Sequence, residues 1–209
     1  MKKLLLVLAA ALALSACTGT VEVGSVSLDQ QEYARPVSGH YAALVQTGGW
    51  KVKTKAAAFS CSAWDFDLDL NNSYQEAMQT GLTRALASVD FIEAPLSGPE
   101  IEAAGYDAQL VVHQGNVSST FAVAPQFFSG SASGQVELDV ILAIVEPEGT
   151  TYQQTVAASG TGSVSVFTCP KIAEAVADAS RRAVRDLTQR SVLHIRDALM
   201  SNQLSGGTP

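Results

Sequence analysis

Three cysteines, three histidines and seven prolines are all that 209 residues carry of those types, and each shortage narrows the possibilities. So few cysteines, with no C-x-x-C pair among them, exclude a disulfide-dense scaffold, a zinc ribbon and a thioredoxin-like site. Charged residues make up only 16% of the chain, and 13 basic residues face 20 acidic ones, for a net charge of −7. A body of that sign lacks the basic footprint that a phosphate backbone demands, which argues against nucleic acid as a partner. Aromatics reach only 7% while hydrophobic residues together reach 47%, the composition of one folded domain with an aliphatic core. The apolar run from Leu4 to Leu14 is too short to cross a hydrocarbon core of about 30 Å as a helix.

That run follows Met1-Lys2-Lys3 and closes on Leu14-Ser15-Ala16-Cys17, the layout of a secretory signal. The closing string resembles the lipobox of bacterial lipoproteins, in which small residues precede a cysteine that becomes the first residue of the mature chain. The resemblance implies residues 1–16 as the signal peptide and Cys17 as the lipidated residue, carrying a diacylglyceryl thioether and an N-acyl chain such as palmitate. Three acyl chains at about 0.8 kcal/mol per buried CH₂ make such an attachment effectively permanent. In the enterobacterial form of this pathway, Asp after the cysteine retains a lipoprotein in the inner membrane. Thr18 at that position implies the outer membrane, with the soluble domain in the periplasm. Loss of Lys2 and Lys3 leaves the body more acidic still, so lipid and not a polybasic patch must hold it to an anionic surface. Residues 17–39 show little periodicity and are expected to form a flexible tether reaching about 25 Å.

The folded body is expected over 40–200, with 201–209 a fraying polar tail. Tyr41 to Val45 and the alternating Trp50 to Lys55, joined through Thr47-Gly48-Gly49, predict a hairpin. Trp64, Phe66, Leu68 and Leu70 interleave with Asp65, Asp67 and Asp69, the sharpest alternation in the chain, and predict a strand with one core face and one solvated face. Ser73 with Glu76 offers a capping box, and Tyr74, Ala77, Met78, Gly81, Leu82, Ala85, Leu86 and Val89 give the stripe of an amphipathic helix. A short strand at Phe91-Ile92 and a helix over Glu100 to Ala104, stopped by Gly105, follow. Strands are predicted at Ala108 to Val112, Val136 to Ile144, Thr151 to Ala158 and Ser163 to Phe167, the second of them central because its later half is apolar on both faces. Pro170 opens a last helix whose core stripe runs from Ile172 through Val184 to Leu199. The order predicts a single α+β domain, an antiparallel or mixed sheet packed by two main helices.

The lipobox, the amphipathic helix with its short strand, the string Gln114-Gly115-Asn116-Val117, a meander and a closing helix from Ile172-Ala173-Glu174-Ala175-Val176 together resemble the YajG family of small proteobacterial outer-membrane lipoproteins. The likeness covers roughly residues 73–199 and departs from the family at Cys61, Cys169 and the segment around Trp64. It implies fold and location; the family has no assigned enzymatic activity to carry over.

With Cys17 lipidated, Cys61 and Cys169 remain, and an oxidising compartment favours a disulfide between them. Such a bridge would constrain the unfolded chain by about 4 to 5 kcal/mol. Two unpaired buried thiols are the alternative. Asp65, Asp67, Asp69 and Glu76 match the charged positions of a calcium loop, but Leu70 stands where the sharp turn needs Gly, so no metal is predicted. His40, His113 and His194 lack the local context of a zinc helix or a nucleophile elbow, and no catalytic residue or cofactor is predicted. Asp178, Arg182, Asp186 and Arg190 form i,i+4 pairs, so this arginine-bearing face neutralises itself and carries no phosphate site. Phe121, Phe127 and Phe128 flank Pro125 at an expected hairpin end or edge, where they either form a contact surface or cap the core.

The function these features imply is that of a non-catalytic envelope lipoprotein whose α+β domain binds a protein partner or supports an envelope assembly. A carrier of lipid or of a small hydrophobic ligand is the alternative.

Overall fold

The alternation around Val136 to Ile144 grows into the middle of three very long antiparallel strands. The computed structural model describes residues 17–28, 35–55, 64–125, 130–166 and 171–205. Its elements are β1 (Cys17–Val21), β2 (Val37–Val45), β3 (Lys51–Lys55), β4 (Trp64–Asp69), α1 (Asn71–Ala85), β5 (Leu86–Phe91), α2 (Gly98–Ala103), β6 (Ala108–Pro125), β7 (Gly130–Glu146), β8 (Gly149–Val166) and α3 (Ile172–Ser205). They form a five-stranded sheet in the order β5-β2-β6-β7-β8 and a three-stranded sheet in the order β1-β4-β3. Both sheets are mixed: β2 runs parallel to β5 and β6, β1 runs parallel to β4, and the other pairings are antiparallel. The α+β expectation with two main helices holds, and α2 is a short third helix among the described residues.

Several local expectations are corrected, among them the tail expected from residue 201, where α3 continues to Ser205, and the helical stripe expected through Leu86 and Val89, which leaves α1 at Ala85 and becomes β5. Tyr41 to Val45 and Trp50 to Lys55 do not form a hairpin: β2 enters the large sheet and β3 the small one. Tyr41, Ala42, Ala43 and Leu44 are all buried, so β2 is covered on both faces, and that suits a strand enclosed by two parallel neighbours better than one arm of a hairpin. The two strands expected at Thr151 to Ala158 and Ser163 to Phe167 are one continuous β8, because Gly160 and Gly162 do not break it. Ser73 does not cap α1; its hydroxyl donates to the Val23 carbonyl, and the Asn71 N–H at the helix start finds Asp69 Oδ1 at 3.1 Å instead.

The glycines in β8 have a packing reason. A Cβ on Gly160 would stand 2.1 Å from the Ala179 carbonyl oxygen, and one on Gly162 would stand 2.3 Å from that of Ala175. The backbone of α3 therefore lies directly on the backbone of β8, and only residues without side chains fit in the seam. Ala175, Ala179 and Ala183 on the helix match them and are buried. Core residues Val136, Leu138, Val140, Leu142 and Ile144 of β7 fill the ground beside this seam. The small sheet covers the far half of β6 on the same face, and Phe66 meets Phe121 edge-on with ring centres 5.6 Å apart. Ile101 of α2 is fully buried, apart from the main cluster that α1 and α3 share with the sheet.

Gly160→Val is expected to lower unfolding stability by about 3 kcal/mol, since neither backbone can withdraw to admit the side chain. The urea midpoint of the purified chain checks this, with Gly24→Ala, where an added Cβ meets nothing within 4 Å, as the near-neutral control.

Candidate functional site

Residues 17–21 form β1 within the fold, and that corrects the tether expected over this stretch. Cys17 pairs with Trp64 and Val21 with Leu68 in the parallel β1–β4 ladder. Beyond β1, Val23 and Val26 pack against the core and Leu28 is buried. The Ser73 hydroxyl donates to the Val23 carbonyl and Arg84 Nη1 donates to the Leu28 carbonyl at 3.4 Å. Residues 17–28 are thus part of the domain, while 29–34 lie outside the described residues. Two clues stood in the sequence: Val21-x-Val23 and Val26-x-Leu28 alternate as a strand and its continuation do.

The start of β1 shares one end of the molecule with several other element ends. Phe66, two residues into β4, touches Phe121, and Phe121 pairs with Gly134 across the β6–β7 hairpin. Gly134 in turn lies against the backbone of Ala175 and Val176 near the start of α3. The beginnings of β1, β4 and α3 and the far end of the hairpin therefore gather together. Of the three phenylalanines read as either a contact surface or a cap on the core, Phe121 follows the second reading: it is 6% exposed and packs into the core beneath the small sheet. The bulge described next shifts its side of the strand inward. Phe127, Phe128, Cys61 and Cys169 lie outside the described residues.

The string Gln114 to Val117 is a β-bulge and a polar junction. The β6–β7 register shifts between Gln114 and Val117, so that core-facing positions are even-numbered before it (Leu110, Val112) and odd-numbered after it (Val117, Phe121). A Cβ on Gly115 would stand 1.7 Å from Asp139 Oδ1, so glycine is required for that carboxylate to approach. Asp139 accepts from the Asn116 N–H at 3.0 Å and from Asn116 Nδ2 at 3.1 Å. On the other side, Trp50 Nε1 donates to the Gly115 carbonyl at 3.2 Å, and Gly49 N donates to Gln114 Oε1 at 2.8 Å. Asn71 Oδ1 completes the joint, accepting from Gly48 N, Trp50 N and Gln114 Nε2. The indole of Trp50 is fully buried against Tyr74, ring centres 4.6 Å apart, and burial pushes the Tyr74 phenol far above its ordinary range. This junction ties the two sheets and the start of α1 together.

The acidic stripe of β4 has a structural occupation. Asp69 meets Lys51 at 3.1 Å and Asp67 meets Lys53 at 3.7 Å, so two of its carboxylates face the lysines of the neighbouring strand. On α3, Arg182 pairs with Asp178 at 3.0 Å and Arg190 with Asp186 at 2.9 Å, as the spacing predicts. His113 meets the side-chain amide of Gln46. The histidine that meets a carboxylate is His40, whose Nε2 lies 2.9 Å from Asp90 Oδ2, with the Tyr106 hydroxyl donating to the same oxygen at 3.1 Å. The His40 and Tyr106 rings stand 4.7 Å apart. Sequence gave no sign of this trio, since its members come from β2, β5 and the loop before β6. It clamps the β5 edge and sits in the open, with side chains about half exposed.

No family model matches the chain, so the resemblance to the YajG family rests on its residues alone. No curated protein matches it either. Among solved structures it is similar to a Xanthomonas campestris protein of the DUF330 family, at 15% identity and a TM-score of 0.45 over 91% of this chain and 99% of that one. A hypothetical protein of Chlamydia trachomatis gives 9%, 0.45, 78% and 99% for the same quantities. A minor lipoprotein of Acinetobacter baumannii gives 11%, 0.38, 75% and 92%. At these identities and scores the likenesses say nothing about what this chain binds or does.

Among the described residues, three carboxyls are held below their usual range. The His40 ring, then the Tyr106 hydroxyl, lower Asp90. The Ser97 backbone N–H and hydroxyl lower Glu100, which reaches back over the first turn of α2. Desolvation alone would raise Asp69, but the Asn71 N–H and the Lys51 ammonium outweigh it. Because each folded value lies below an unfolded one near about 4, this stabilisation is complete above pH ~5 and is lost as pH falls through the folded values. The urea midpoint is expected to hold level from pH ~8 to ~5 and to fall below pH ~4, with a smaller fall in Asp90→Asn. A midpoint as high at pH ~3 as at neutrality would count against the assignment.

Proposed function

We propose that this chain is an envelope lipoprotein, fixed through lipid on Cys17 to the outer membrane, whose α+β domain works without catalysis by binding a protein partner close to the bilayer surface. The observation that carries the reading is the start of β1 at the lipobox cysteine, already paired in register with β4. An acyl chain on the first residue of a strand leaves no slack, so the domain is held against the membrane and not suspended below it. No helix among the described residues is long and apolar enough to cross a membrane. The carrier reading has less behind it. The groove of about 500 Å³ beside the bulge is bordered by Asn116, Ser118, Glu137, Asp139, Ser159 and Arg190, with Leu138, Ala157 and Ala158 its apolar members, a mostly polar lining that suits a hydrated ligand better than an acyl chain.

Two finer features belong to the same proposal. Phe127 and Phe128 supply the partner contact, now without Phe121. Cys61 and Cys169 form a disulfide; β4 starts three residues after the first and α3 three residues after the second, and those two starts lie at the same end of the fold. The bridge would fasten the small sheet to the base of the long helix.

Cell fractionation tests the anchor: the native chain is expected to stay with outer membranes through a salt wash, and Cys17→Ser to be released. A native chain that washes off overturns the reading. Cross-linking in intact envelopes with Phe127→Ser and Phe128→Ser is expected to lose partner adducts, and an unchanged pattern removes that surface. For the bridge, iodoacetamide applied to the denatured chain is expected to leave Cys61 and Cys169 unmodified until reductant is added. Labelling of both without reductant would show free thiols.

A further inference from the structure

The large sheet ends very differently on its two sides. At one side stands β5, six residues long, carrying Asp90. At the other stands β8, 18 residues long, with no strand beyond it among the described residues. Folded proteins shield such edges with lysine, proline, bulges or short length, because a free row of N–H and C=O groups invites another strand. β8 contains neither a charged residue nor a proline. Its outward-facing side chains on the face away from α3 are Gln153, Thr155, Ala157, Ser159, Thr161 and Ser163, all exposed. A strand of this composition can lie beside a second copy of itself without meeting like charge.

The helix above that edge carries a pattern that selects the same partner. Gly162 approaches Asp178, Gly160 lies under Ala179 to Ala183, and Arg190 borders Ala157 to Ser159. The i,i+4 ridge Asp178, Arg182, Asp186, Arg190 therefore runs along the β8 flank of α3. Its charges alternate, so reading the ridge backwards reverses every sign. Set antiparallel to itself about position 184, it brings Asp178 opposite Arg190 and Arg182 opposite Asp186, twice over. Position 184 lies about 4.5 Å beyond the middle of the Ala179–Ala183 turn, or roughly one and a half strand residues, which puts it over Ala158 to Ser159. That is also the middle of β8. The self-complementary centre of the helix and the centre of the strand thus coincide, although nothing in the monomer requires it.

We propose that β8 is a dimerisation edge, on which a second copy of this chain pairs antiparallel about Ala158 to extend the sheet from five strands to ten. The α3 backbone touches β7 at Gly134 as well as β8 at Gly160 and Gly162, so the helix straddles that pair of strands, and a strand spacing of about 4.8 Å then places the two α3 helices roughly 9 to 10 Å apart, the distance at which helices pack. The two-fold axis stands perpendicular to the sheet. Both small sheets lie on the α3 side, so both copies of Cys17 fall on one face of the dimer and can reach the same bilayer. This inference does not depend on the proposed function, and the test below reads association alone.

Sedimentation equilibrium of the full chain in detergent is expected to give a dimer. Ala157→Lys combined with Ser159→Lys sets lysine against lysine across the axis on exposed positions, and is expected to weaken association at least about tenfold while circular dichroism stays unchanged. Arg182→Asp is expected to weaken it in the same direction. Adding Asp186→Arg should restore it, even though the double change places like charges together within each helix, at 178 with 182 and at 186 with 190. Rescue therefore reports pairing between copies and not helix stability. A chain that stays monomeric at about 100 μM, a dimer indifferent to the lysines, or a double variant as weak as Arg182→Asp would each overturn the proposal.

Discussion

The contact on which the architecture depends is backbone against backbone, where α3 rests on Gly160 and Gly162 of β8 with no side chain between. A helix held this close cannot slide or rotate freely, because each alanine of its buried stripe sits against a defined strand position. With α3 placed, its far flank receives α1, and Gly81 of that helix approaches Val192 closely enough that a Cβ there would come within 2.9 Å. The small sheet then fills the rest of the same face, over the outer half of β6. A large aliphatic residue at the seam would lift the helix and open the core on both sides of it.

The second organising feature is the bulge in β6. By shifting the inward positions from even to odd, it lets one strand serve two partners: Leu110 and Val112 face the helical layer, while Phe121 faces Phe66 of the small sheet. The cost of the interrupted ladder is offset by the polar groups gathered around it. Asn71, Gln114, Asn116 and Asp139 satisfy one another and the turn before Trp50, and the indole closes the joint from the core side. The string Gln114 to Val117, read in the sequence as part of a family likeness, has this physical occupation whatever the family.

Legibility followed the range of the interaction. The alternation of β4 is legible because a strand with one buried face writes its period of two directly, and Asp67 and Asp69 do face the lysines of β3. The stripe of α3 and its Asp–Arg pairs were equally plain at i,i+4 spacing. The expected hairpin between β2 and β3 failed because a turn sequence says only that the chain bends, not which sheet receives each arm. Gly160 and Gly162 read as a break between two strands, since a glycine kept for a close approach looks the same as one kept for a turn. The His40, Asp90 and Tyr106 trio left no trace at all, its members being separated by 50 and 16 residues along the chain.

From the amino-acid order alone came the acidic body, the α+β class and the periodic faces of its main elements, because each is a local property carried by neighbouring residues. Tertiary structure alone decided that residues 17–21 are a strand and not a tether, that Phe121 belongs to the core, and that β8 stands at the edge of the sheet among the described residues. Those outcomes depend on which surfaces meet, and burial of one segment by another distant in sequence is a property of the packed whole.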